Sequence, residues 1–213
     1  MRRSRYARVI GGLGLLAVIG VLLTTILGSS DDAAGIAPGE MLAPFAVPLV
    51  LSSLPGDANV ATRDHQGAAG NVPACSVRGT QILNICQLYE QGPVVLALFV
   101  DGGSCAAVLN DMQAIAPQFP RVRFAAVAIE GNRGQLRRLV RSRHLSLPVG
   151  IDKDGVLASL YKVFSCPQVN FVYPGGIVQS GALLGNPTRA SLRARVSELV
   201  AASRAHGWRG SRT

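Results

Sequence analysis

The sequence predicts an α/β domain, a central mixed sheet flanked by helices, preceded by one N-terminal transmembrane helix. Three observations predict the domain. Residues 93–100 and 122–129 are continuous apolar runs, as expected of strands buried on both faces. Between them, Val108, Leu109, Met112, Ile115 and Ala116 recur at helical spacing, so strand, helix and strand form a βαβ unit with a parallel pair. Further on, residues 168–173 and 177–183 flank Pro174-Gly175-Gly176, an antiparallel hairpin that makes the sheet mixed.

The N-terminus comes first in chain order. Residues 1–8 form a basic segment with Arg2, Arg3, Arg5 and Arg8. Residues 9–27 are nineteen positions without a charge. At 1.5 Å per residue they span ~28 Å, close to the hydrocarbon thickness of a bilayer. Asp31 and Asp32 follow. The positive-inside rule then sets residues 1–8 in the cytoplasm, a helix over 9–28 in the cell membrane as a single span, and the rest outside. The competing reading is a signal peptide cleaved near Gly28-Ser29-Ser30, which exports the domain equally.

Residues 29–73 are rich in Gly, Ala, Pro and Asp and show no sustained period. They read as an extracytoplasmic linker and lead-in, with Pro44-Phe45-Ala46-Val47-Pro48 the first packed piece. The globular domain is expected over 74–203. It begins with a hairpin over 75–88, turning at Arg78-Gly79-Thr80. The helix over 104–116 has Ser104 as its predicted N-cap. A helix over 134–144 turns Leu136, Leu139 and Val140 inward and Arg137, Arg138 and Arg141 to solvent. A short strand over 147–151, a turn over 152–155 and a short helix over 156–163 follow. Asn186 and Pro187 open the last helix as N-cap and first residue, with Leu192, Val196, Leu199 and Val200 inward. Residues 204–213 form an Arg-rich tail.

The net charge of +9 is concentrated at the two ends of the chain, and no basic stripe is interleaved with aromatics. No nucleic-acid partner is therefore expected. His65, His144 and His206 have no ligand spacing to one another or to the cysteines, so no metal is expected either. No Ser-His-Asp set, phosphate loop or carboxylate pair stands out, and nothing asks for a cofactor.

The chemistry rests with four cysteines, which suit an oxidising compartment. Three pairings are open to four cysteines. The hairpin reading favours a structural disulfide between Cys75 and Cys86, because a turn centred on Thr80-Gln81 sets them opposite each other. Cys105 falls in the first turn of its helix. Free N–H groups and the helix dipole there favour the thiolate, which is the reactive form of cysteine. Gly102-Gly103 leaves room for an approaching sulfur. The alternative for Cys105 is a small buried hydrophobe.

The order strand, helix, strand, helix, Cys-Pro, hairpin, helix resembles the thioredoxin superfamily, and within it exported TlpA-type thioredoxins and the alkyl hydroperoxide reductase/thiol-specific antioxidant group. Two segments carry the resemblance. One is Leu98-Phe99-Val100-Asp101-Gly102-Gly103-Ser104-Cys105. The other is Tyr161-Lys162-Val163-Phe164-Ser165-Cys166-Pro167 followed by Phe171-Val172-Tyr173-Pro174-Gly175-Gly176. Pro44-Phe45 is similar to the opening of those domains. The resemblance implies a thioredoxin-like fold with Pro167 at the cis-proline position beside the active site. Cys166 would then face the start of the active-site helix. The implied catalytic residues are Cys105, Cys166 and Pro167, with Cys105 and Cys166 as a redox pair.

The departures are specific. Val108 stands where the second cysteine of C-x-x-C belongs, and Ser104 where a tryptophan precedes the first. Leu98 and Gly102 occupy the proline and threonine positions of the peroxidase pattern. The expected activity is that of a membrane-tethered thiol–disulfide oxidoreductase acting on exported protein thiols or disulfides, or on small oxidants. A thiol peroxidase and a binding module without turnover are the alternatives.

Overall fold

The computed structural model describes residues 34–54, 59–60 and 72–210. The span expected over 9–28 lies outside the described residues. Among the described residues, no helix is long and apolar enough to cross a membrane.

Strand β4 (Val94–Val100) is the centre of the domain, with β5 (Arg123–Glu130) parallel on one side and β7 (Gln168–Val172) antiparallel on the other. Strands β6 (Val149–Ile151) and β8 (Val178–Leu184) complete a five-stranded sheet of order β6-β5-β4-β7-β8. The apolar run of β4 divides by pleat, since successive side chains leave opposite faces. Val95, Ala97 and Phe99 pack under helices α2 (Val108–Ile115), α3 (Arg133–Ser142) and α5 (Arg189–Ala205), through Leu109, Met112, Leu136, Leu192 and Val196. Val94, Leu96 and Leu98 pack on the other face with Ile85 of helix α1 (Ile85–Gln91), Leu157 of helix α4 (Val156–Leu160) and Tyr161. A strand covered on both faces has no polar position to offer, which is why the run reads as unbroken.

Within the stretch read as linker, Ile36, Leu42, Phe45 and Val47 are buried. Strand β1 (Phe45–Pro48) pairs antiparallel with β2 (Asn59–Val60) and β3 (Ile82–Asn84) in a second, three-stranded sheet. Phe45 and Val47 of β1 and Leu83 of β3 join the core on the α1/α4 face.

Four local expectations are corrected. Residues 75–88 are not a hairpin. Ala74–Ser76 is a 3-10 turn, β3 pairs with β1, and the second run is helix α1. Asn84 makes the switch. Its extended backbone ends β3, and its side-chain oxygen accepts from the N–H groups of Cys86 and Gln87 at 2.9 and 3.2 Å, capping α1. Ser104 makes no side-chain cap, because its backbone is already helical and a 3-10 turn, Cys105–Ala107, precedes α2. Helix α5 is capped by Thr188, whose hydroxyl accepts from Ser191 N–H at 3.1 Å, so Asn186-Pro187 belong to the preceding turn. Arg137 does not lie in solvent. Its Nε donates to Val50 C=O at 3.0 Å, and its guanidinium with that of Arg133 also holds Ser52 C=O. Arg138 and Arg141 are exposed as expected.

The tail also folds back, with Trp208 N–H donating to Ser203 C=O at 3.0 Å.

Candidate active site

Two chain segments reach the same edge of the five-stranded sheet. β4 runs out at Val100, and Asp101-Gly102-Gly103-Ser104 leads from it to Cys105. β7 runs antiparallel to β4, so it begins at that same edge, and Cys166-Pro167 immediately precede it. The topology therefore sets Cys105 beside Cys166 although sixty-one residues separate them. Their Cα atoms are 5.3 Å apart and the sulfurs are joined as a disulfide. This separation is ordinary for a disulfide. The Cys166–Pro167 peptide is cis, Pro167 is buried, and both cysteines are half-buried.

The surroundings of the two sulfurs differ. Cys166 packs against the core that contains Phe99 and Leu109. Its Sγ also accepts a hydrogen bond from Val100 N–H at 3.2 Å. Cys105 follows three exposed residues, Gly102, Gly103 and Ser104. Gly102 and Gly103 have positive φ, 134° and 53°, and nothing lies within 4 Å of where a Cβ would stand on either. The Arg143 guanidinium donates to Ala106 C=O, the residue after Cys105. Val108, in the place of a second C-x-x-C cysteine, is buried in the core.

Val100 N–H and Arg143 were not legible beforehand. A backbone donor carries no sequence signature, and Arg143 reads as one of several arginines at the end of a helix.

The other two cysteines, Cys75 and Cys86, are joined to each other with Cα atoms 5.4 Å apart. The pairing is that of the hairpin reading, but the geometry is not. The bond ties the 3-10 turn over Ala74–Ser76 to the first turn of α1. The Tyr89 hydroxyl lies 3.7 Å from Cys75 Sγ. Among the described residues, no group of three or more His, Cys, Asp or Glu side chains could hold a metal ion.

No protein-family model matches the chain, and no curated protein matches it. Solved structures do. A candidate thiol:disulfide interchange protein DsbE from Chlorobium tepidum superposes with a TM-score of 0.58 at 14% identity, over 79% of this chain and 98% of that one. The domain has the thioredoxin-like fold. A candidate protein disulfide isomerase from Bacteroides thetaiotaomicron matches this thioredoxin-like domain with a TM-score of 0.57 at 14% identity, covering 82% of this chain and 98% of its own. The thioredoxin domain of a thiol-disulfide oxidoreductase from Bacteroides vulgatus gives 0.55 at 11% identity, over 78% and 99%. At such identities the likeness speaks for the fold.

Proposed function

We propose that this protein is a thiol–disulfide oxidoreductase whose reversible bond joins Cys105 to Cys166, with Pro167 shaping the same edge. The observation that carries the reading is that bond. It sits at the end of the central strand, half-exposed, beside an open Gly-Gly turn. A disulfide meant only to staple the fold gains nothing from an accessible sulfur, whereas exchange requires a thiolate to reach one. The fold shared with oxidoreductases of this class adds to the reading. Cys166 takes the role that Val108 cannot, so the redox pair is made between two chain segments instead of within one helix turn. Cys75–Cys86 is the structural bond.

The substrates are exported protein thiols or disulfides. The domain works outside the cytoplasm, tethered by a single span over residues 9–28. Four arginines before that apolar run and two aspartates after it support this orientation.

Equilibration in dithiothreitol buffers, read as the mass of the Cys105–Cys166 peptide pair, tests the proposal. Structural disulfides lie below about −300 mV and labile ones above. A midpoint above that value, together with oxidation of a reduced peptide substrate, is expected. A bond that stays closed throughout, or turnover that survives Cys105→Ser, overturns the reading.

A further inference from the structure

The two sulfurs of the bond are not equivalent, and the difference assigns a direction to the exchange. The register of β4 against β7 ends at Leu98 opposite Gln168. Extended by two residues, it sets Val100 opposite Cys166. The pairing of β4 with β5 also shifts between Phe99 and Val100. Val100 N–H thus stands where the regular ladders end, and its partner is a sulfur, Cys166 Sγ at 3.2 Å. Cys166 is also the cysteine that packs on the core. Cys105 follows the exposed Gly102-Gly103-Ser104 turn, with open space around both glycines.

We propose that Val100 N–H is a thiolate-binding donor that makes Cys166 the leaving group and leaves Cys105 as the sulfur attacked by substrate. This rests on the redox reading of the bond. A substrate thiolate approaches across the Gly102-Gly103 turn and attacks Cys105 Sγ. The Cys105–Cys166 bond breaks and a substrate–Cys105 bond forms, while the electron pair departs on Cys166 Sγ. That sulfur becomes a thiolate already facing Val100 N–H. A hydrogen bond to an ionised acceptor is about twice as strong as one to a neutral acceptor, so the donor gains strength as charge develops. It acts on sulfur as an oxyanion hole acts on oxygen, with no reorganisation at the moment of reaction. A second thiolate of the same substrate then attacks the substrate sulfur of the mixed disulfide and expels the Cys105 thiolate. The substrate loses two electrons and two protons, and the protein ends with two reduced cysteines.

The direction is read with glutathione as the attacking thiol. Oxidised protein is mixed with glutathione, quenched in acid within seconds, alkylated and mapped. Glutathione on Cys105 with a free thiol on Cys166 is the expected result. Glutathione on Cys166, or an even split, overturns the assignment while leaving the redox reading intact. A bond that neither glutathione nor dithiothreitol opens overturns the redox reading itself.

The donor is tested separately. Val100→Pro removes the N–H and should slow attack by glutathione about tenfold, the low end for a hydrogen bond to a charged group. Should that variant not fold, the Val100 amide proton is followed by NMR through a pH titration of reduced protein. The charged groups nearest in the chain are Asp101 and Lys162, with Arg143 beside Ala106, and all three are kept. The amide should move downfield as the thiol ionises in Cys105→Ser, where Cys166 remains, and stay still in Cys166→Ser. An amide that does not move in Cys105→Ser overturns the donor role.

Discussion

Tyr161 is fully buried, and its hydroxyl donates to Ala43 C=O at 2.6 Å. Burial is the first cause that pushes its phenol well above the ordinary tyrosine value, and the charge of Tyr89 adds to it. A folded-state value raised above the unfolded one means that the unfolded chain gives up this proton first. Tyr161 therefore contributes its full stability below about pH 10 and loses it as pH rises from there toward the folded value. Urea midpoints of the parent should fall above pH 10 more steeply than those of Tyr161→Phe. At neutral pH the variant should be less stable by about 1–2 kcal/mol, since Ala43 C=O loses its donor. An equal slope for both proteins would remove Tyr161 from the alkaline transition. The Cys75–Cys86 bond closes a short loop, its cysteines eleven residues apart. Replacing both by serine should cost about 3 kcal/mol on the chain-entropy account. The rate at which glutathione opens Cys105–Cys166 should not change, which separates the structural bond from the redox pair in one variant.

Where the two sheets meet, side chains leave no slack. Leu49 bridges to Gly150 next to β1, and Val50 N–H donates to Val149 C=O at 2.8 Å. A Cβ on Gly150 would stand 2.5 Å from Val47 Cγ2 and 3.1 Å from Leu83 Cδ2. Val47 is β-branched and stiff, so it cannot swing clear. Gly150→Ala should therefore destabilise by about 1–3 kcal/mol, measured by urea unfolding, with the Cys105–Cys166 exchange preserved. A neutral result would mean that β1 and β6 can part without cost. This junction was hidden from the sequence, and the reason is length. β4 and β5 are seven and eight residues long, and their burial on both faces shows as an apolar run. β1, β2 and β3 are four, two and three residues long, too short for a period of two to declare itself. β1 also finds its partner β3 far along the chain, Ala46 facing Asn84 and Pro48 facing Ile82, so β1 read only as a packed fragment in a linker. The same holds for Ile82 to Cys86, an apolar stretch that Asn84 cuts into a strand and a helix by capping. The Cys105–Cys166 pairing was legible for a different reason. The motif around Cys166-Pro167 carried it through a resemblance, while spacing alone left all three pairings open.

Over the whole chain, the orientation proposed from the charge asymmetry around residues 9–27 is open to a direct test. A C-terminal alkaline phosphatase fusion should be active and a fluorescent-protein fusion exported in the same way should be dark, the reverse pair refuting the orientation. The redox couple makes a second claim on the whole molecule, because bond and fold stabilise each other to the same extent. Cys105–Cys166 spans sixty-one residues, which take in α2, β5, α3, β6 and α4. As a pure staple, a loop of that length would stabilise the fold by about 4 kcal/mol. Linkage then requires folding to favour the closed bond by the same amount. For a two-electron couple this lowers the potential by about 90 mV relative to the same cysteines in the unfolded chain. A bond made for exchange is kept from that depth by whatever stabilises the reduced, folded protein, and a Cys166 thiolate held by Val100 N–H does so. The oxidised protein should therefore exceed the selectively reduced protein in unfolding free energy by clearly less than 4 kcal/mol, with Cys75–Cys86 closed in both. Urea unfolding of the two forms at pH 8 gives the difference, and the dithiothreitol midpoints of folded and unfolded chains give it independently. Should both measurements return the full 4 kcal/mol, Cys105–Cys166 is a second staple, and the half-buried Cys105 has no exchange to serve.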